Sequence, residues 1–117
     1  MAEVTGPIDA TQRLLARTGH RETLADLEAL GFGPGAFFSV GRIGTNASNL
    51  AALEGVPLCV SGPQHFNQTL YPWHSCASPV YNSNGRQVAI IALICKVEEA
   101  SAGDLALTVS AGRELAH

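Results

Sequence analysis

From Val88 to Cys95 the chain reads Val-Ala-Ile-Ile-Ala-Leu-Ile-Cys, an unbroken run of apolar residues. A strand alternates its side chains between two faces, so a strand that is apolar throughout must be covered on both. It belongs in the middle of a sheet with other elements above and below. Just upstream, "HSCASPVY" is a second strand-like segment, and Asn82-Ser83-Asn84-Gly85 between the two is a turn signal. The pattern predicts an antiparallel hairpin whose second strand is central.

The remaining segments supply the cover. "RETLADLEALG" sets Leu24, Leu27 and Leu30 on one helical face, acidic residues opposite, and Gly31 where a left-handed cap would sit. "TNASNLAALEG" offers Thr45 or Asn46 as N-cap, a run of helix formers, and Gly55 as the stop, followed by Pro57. Ser101 is expected to cap a last helix running to about Leu115, with Asp104 in its first turn complementing the dipole. "VPLCVSG" reads as a strand and "PQHFNQTLY" as a helical turn or two, while "AEVTGPID" and "TQRLLARTG" read as weak strands around a turn near Asp9. "GFGPGAFFSVGRIG" carries five glycines and a proline around Phe37 and Phe38, which suggests a loop whose aromatic pair reaches the core. The order strand, strand, helix, helix, strand, hairpin, helix implies an α+β fold, a central antiparallel sheet with helices packed against it. At 117 residues, without repeat or linker, the chain is expected to be one domain, 1–117.

Charge narrows the function. Only 15% of residues are charged, against roughly 25% in an average soluble domain. The six arginines and one lysine are scattered, so no nucleic-acid surface is expected. No basic leader with an apolar core opens the chain, and no window reaches a membrane span, which points to a soluble cytoplasmic protein without membrane contact. Gly55 to Gly85 holds no charged residue yet contains His65, His74, Trp73, both tyrosines, Cys59 and Cys76. Such a segment is expected to be shielded by the domain, a ligand or a partner.

Within it, "YPWHSCASPVYNSNG" gathers Trp73, His74 and Cys76. A nucleophilic Cys76 needs a base and exposure. His74 is two residues away and shares its strand face, but a cysteine among small apolar residues is ordinarily buried and inert, and no acidic neighbour in sequence orients the imidazole. No catalytic residue is expected, and the chain is not read as an enzyme. His65, His74 and Cys76 are ligand types whose spacing matches no dedicated metal motif, so neither metal nor cofactor is expected. Cys59, Cys76 and Cys95 are odd in number and widely spaced, which argues against a disulfide framework, and Cys59 and Cys95 read as small core residues of central strands. The remaining alternatives are simple core packing or a concave, uncharged pocket. Its candidate ligand-binding residues are Phe38, Asn46, His65, Phe66, Trp73, His74, Cys76 and Ser78. For Thr45 and Asn46, helix capping is the stronger reading.

"GRIGTNASNLAALEGVPLCVSGPQHF" followed by "WHSCASPVYNSNGRQVAIIAL" resembles the GAF sensor domain of bacterial sigma-54-dependent activators, the kind that regulate acetoin or dihydroxyacetone use. Gly44, Thr45, Asn46, Ala47, Glu54, Gly55, Pro57, Gly62, His65, Phe66, Trp73, Ala77, Pro79 and Gly85 fall on that pattern in order, and the likeness spans roughly Leu24 to Leu115. Departures stand at Ser48-Asn49-Leu50, Gln64 and Val40, and at Ala92, where the family often keeps a polar group. The resemblance implies a GAF-like sheet and a regulatory domain that senses a small-molecule effector, pairs as a homodimer, and makes no direct nucleic-acid contact. The chain carries no phosphate-loop motif, so either an excised sensor or a stand-alone one is expected. The alternatives are a purely structural dimer module, or a cysteine-dependent reductase of free methionine sulfoxide, whose cysteine pattern this chain does not resemble.

Overall fold

In the computed structural model, residues 4–9, 12–15, 18–36, 44, 46–65 and 68–115 are described, with the side chains of Val4 and Leu115 excepted. Five strands form one antiparallel sheet: β1 (Val4–Ile8), β2 (Thr18–Gly19), β3 (Leu58–Ser61), β4 (Trp73–Tyr81) and β5 (Gln87–Lys96). Their spatial order is β2-β1-β5-β4-β3, so the apolar strand of the hairpin is central. Among the described residues, three α-helices cover the sheet: α1 (Arg21–Ala29), α2 (Ala47–Glu54) and α3 (Asp104–Leu115). The α+β architecture and the hairpin agree with the sequence pattern.

The hairpin turn is built by Asn82, whose carboxamide oxygen accepts from the amides of Asn84 at 2.9 Å and Arg86 at 3.0 Å. Gly85 takes φ +78°, a left-handed conformation that a β-carbon would strain. From there the register sets the two faces. Ala92 pairs with Ala77, Ile94 with Ser75 and Ile90 with Pro79, on the face that meets α2. Leu93 pairs with Cys76, Cys95 with His74 and Ile91 with Ser78, on the face that meets α3.

Helix α2 begins and ends as its sequence dictates. Asn46 is the N-cap: its carboxamide oxygen accepts from the Asn49 amide, and the Asn49 side chain accepts from the Asn46 amide, both at 3.1 Å. Asn49 is a departure from the family pattern, and this reciprocal cap is what it supplies. Gly55 closes the helix at φ +73°, and its carbonyl accepts from the Tyr81 hydroxyl at 2.9 Å. Ala47 and Ala51 then pack with Ile8, Leu14, Val60, Ala77 and Ile90.

A second cluster joins Trp73, only 1% exposed, to Leu27, Phe32 and Leu70. Within α1 it is Thr23 and Leu27 that are buried; Leu30 is exposed, because the helix ends at Ala29 and Leu30 has turned out as its C-cap. On the other face α3 lies close at Gly112, where a β-carbon would come within 3.0 Å of Ile91 Cγ2. Its start is held by two side-chain acceptors: Asp104 Oδ2 accepts from the Ser101 amide at 2.8 Å, and Ser101 Oγ accepts from the Gly103 amide at 3.2 Å.

Candidate functional site

Three small residues in register across three strands, Gly6, Ala92 and Ala77, leave the sheet low beneath α2. Over Gly6 and Ala92 lies a cavity of about 60 Å³, lined from the sheet also by Ser75 and Ile94, and from above by Leu27, Phe32, Asn46 and Ala47. Among the described residues, its wall carries no Asp, Glu, Lys or Arg. Ala92 therefore sits at a wall position where a polar residue would change what the cavity accepts.

His65 is the titratable group among the described residues of this wall and is 2% exposed. Its Nδ1 faces the Gly62 carbonyl at 3.1 Å, and since a carbonyl only accepts, Nδ1 carries the proton. Burial pushes its pKa below 6.5, outweighing the opposite pull of the Gly62 carbonyl, so the imidazole is neutral near pH 7 and Nε2 is an acceptor. The Ser75 hydroxyl stands 3.1 Å from it and 3.3 Å from the Val60 carbonyl, one proton between two acceptors. The side chain of Asn46 is also engaged, its oxygen by the Asn49 amide and its nitrogen by the Gly44 carbonyl at 3.1 Å. The cavity thus offers mostly apolar contacts and a few hydrogen-bonding groups already held in place.

The eight candidate residues do not form one pocket. Asn46 and His65 line this cavity, and Trp73 is packed in the core beside it. Phe38 and Phe66, like Phe37 and Thr45, lie outside the described residues. His74, Cys76 and Ser78 occupy the opposite face of β4, against α3. The physical reason is the two-residue period of a strand: Trp73 and Ser75 share one face, His74, Cys76 and Ser78 the other. Ser75 was missed by sequence reasoning, although its parity with Trp73 could have found it.

On the α3 face, Cys59 and Cys76 stand directly opposite each other in the β3–β4 pair with Cα atoms 4.0 Å apart, and they form a disulfide. This corrects the expectation that the cysteines stay unpaired; residues 17 apart in sequence are brought together by strand register. Cys59 is also half-buried on an edge strand rather than central, whereas Cys95 is buried as expected. His74 Nε2 lies 3.4 Å from Cys76 Sγ and 3.5 Å from Asp104 Oδ2. An acidic partner for His74 does exist, therefore, contributed by the start of α3. His65, on the other face, cannot share a metal with His74 and Cys76; the third ligand type near them is Cys59.

No family model matches the chain. Among curated proteins it is 44% identical, over 92% of its length, to the PTS-dependent dihydroxyacetone kinase operon regulatory protein of Escherichia coli (strain K12). It is 39% identical, again over 92%, to the glycerol metabolism operon regulatory protein of Citrobacter freundii, and 28% identical over 93% to the acetoin dehydrogenase operon transcriptional activator AcoR of Bacillus subtilis (strain 168). A solved structure, the crystal structure of the E. coli DhaR(N)-DhaL complex, superposes with a TM-score of 0.96 at 40% identity, over 99% of this chain and 40% of that one. The chain is homologous to the amino-terminal regions of DhaR/AcoR-type operon regulators. These matches support a regulatory sensor domain. It spans 17% of the length of the first two curated relatives and 19% of the third. Among the described residues no helix is long and apolar enough to cross a membrane.

Proposed function

We propose that the chain is a GAF-like sensor domain of a bacterial transcription regulator, and that its effector is a small uncharged molecule held between the sheet and α2. The cavity carries this reading: a space of about 60 Å³, with no charged residue among the described residues of its wall, accommodates a few heavy atoms and disfavours ions. The operons named for the relatives concern dihydroxyacetone, glycerol and acetoin, all uncharged molecules of three or four carbons. The domain acts by favouring one of two arrangements when the effector is bound, and it contributes no catalysis of its own.

A thermal shift series with dihydroxyacetone, glycerol and acetoin tests the proposal. An effector at a hundredfold excess over its Kd adds about 2.7 kcal/mol of stability. Unchanged melting with all three would remove the small-molecule reading.

A second reading is supported by the DhaR(N)-DhaL complex: the domain is read by a protein partner, or by a copy of itself. Leu53 and Val56 near the end of α2, and Leu105 and Leu107 on α3, are large apolar side chains left exposed, available for a partner to cover. Sedimentation of the chain alone and with a DhaL-type protein distinguishes homodimer, heteromer and monomer.

A further inference from the structure

On the face away from the cavity, four side chains with metal-ligating atoms meet where β3, β4 and the start of α3 converge. The sulfurs of Cys59 and Cys76 and the Nε2 of His74 all lie within 4.8 Å of one another. Asp104 Oδ2, held in place by the Ser101 amide and 5% exposed as a residue, is 3.5 Å from the same His74 nitrogen. We propose that the reduced form of this chain binds one zinc-like divalent cation through Cys59, Cys76, His74 and Asp104, and that the disulfide and the metal are alternative occupants of this place.

The distances carry the assignment. Around a tetrahedral zinc with bonds of about 2.0–2.3 Å, neighbouring ligand atoms stand roughly 3.3–3.8 Å apart. His74 Nε2 is already at such separations from Cys76 Sγ, 3.4 Å, and from Asp104 Oδ2, 3.5 Å. The two sulfurs are bonded and so stand closer than a tetrahedral edge; reduction frees them to rotate apart, and rotation of the Asp104 side chain would bring its carboxylate to the same ion. Two thiolates with an imidazole select zinc-type cations over magnesium or calcium, and the carboxylate completes four ligands.

The orientation of the His74 ring points the same way. Its Nδ1 is the buried side-chain polar atom left without a partner among the described residues, while Nε2 faces a sulfur and a carboxylate. The nitrogen that would face a cation, Nε2, is thus the one already aimed at two ligand atoms. Half-buried Cys59, at the sheet edge, gives reductant and metal their approach.

The conversion balances. A phosphine and one water reduce the disulfide to two thiols, with the phosphine becoming its oxide; uptake of the cation then releases both thiol protons to the buffer.

The test is a Co²⁺ titration of the whole chain under argon, phosphine-reduced and then oxidised, followed by Zn²⁺ competition. The expected result is one equivalent of Co²⁺ per reduced chain, with intense visible bands of a tetrahedral ion and a thiolate-to-cobalt charge-transfer band, all displaced by Zn²⁺. The oxidised chain gives neither. Cys59→Ala, at the exposed edge, removes the charge-transfer intensity of one thiolate and weakens binding at least 100-fold; Asp104→Asn weakens it roughly tenfold. Circular dichroism confirms that each variant is folded. A folded, reduced chain that takes up no Co²⁺, or a spectrum and affinity unchanged in both Cys59→Ala and His74→Gln, overturns the proposal.

Discussion

Replacing Ala92 by valine puts two more carbons into the wall of the cavity beneath α2, flanked in register by Gly6 and Ala77, which have little side chain to obstruct them. Two independent estimates give the size of the effect. Burying two methyl-sized groups contributes about 1.6 kcal/mol at roughly 0.8 kcal/mol each. Removing a void of 60 Å³ at about 24 cal/mol per Å³ contributes about 1.4 kcal/mol. Valine is also well suited to a central strand. For a domain of this size 1 kcal/mol moves Tm by roughly 4 °C, so Ala92→Val should melt about 6 °C above the parent. The same two carbons occupy the space assigned to the effector, so the stabilisation by dihydroxyacetone or acetoin seen in the parent should vanish. Differential scanning calorimetry with and without effector reads both quantities. A lower Tm would mean that the space is not there to be filled, and a variant that still responds fully to effector would mean that the effector binds elsewhere.

Lowering the pH should weaken the fold through His65. Its folded-state pKa lies below 6.5, chiefly because of burial, so the unfolded chain binds more protons between that folded value and 6.5. The His65 contribution is therefore complete above pH 6.5 and is lost as the pH falls through the folded-state pKa; urea titrations should show that slope and its flattening in His65→Gln. Asn46→Ala removes the N-cap of α2 and should cost about 1–2 kcal/mol, whereas Asn46→Asp should keep most of it, as chemical denaturation will tell. Gly112→Leu forces a side chain into Ile91 and Val80, and despite the better helix propensity of leucine should lose about 1–3 kcal/mol by thermal melting. Gly55→Ala adds a left-handed alanine and a β-carbon 3.1 Å from Tyr81 Oη; a net loss of about 1 kcal/mol is expected in the same assay.

Much of the framework was legible because local chemistry specified it. The hairpin follows from one apolar run and one Asn-rich turn, and α2 runs from Asn46 to Gly55 as its cap residues indicate. At α1 the leucine spacing overstated the buried face, because Leu30 falls one residue past the helix, where the chain turns. The candidate site was less legible. His65 and Asn46 were found through family likeness and residue type, but their neighbours on β4 were pooled without regard to strand parity, which mixed two faces into one pocket. Cys59–Cys76 was missed because no spacing rule relates two cysteines that meet only by cross-strand register.

The amino-acid sequence by itself determined that β5 is central, that a hairpin leads into it, that helices cover both faces, and that the segment from Gly55 to Gly85 is uncharged. Each of these follows from interactions within a few residues or from side-chain polarity alone. Only the tertiary structure decided that Gly6, Ala92 and Ala77 form a row of small residues with a cavity over Gly6 and Ala92, and that Cys59, His74, Cys76 and Asp104 come together on the other side. Those meetings depend on strand register and on where α3 docks, and both are set by the packing of residues far apart in the chain.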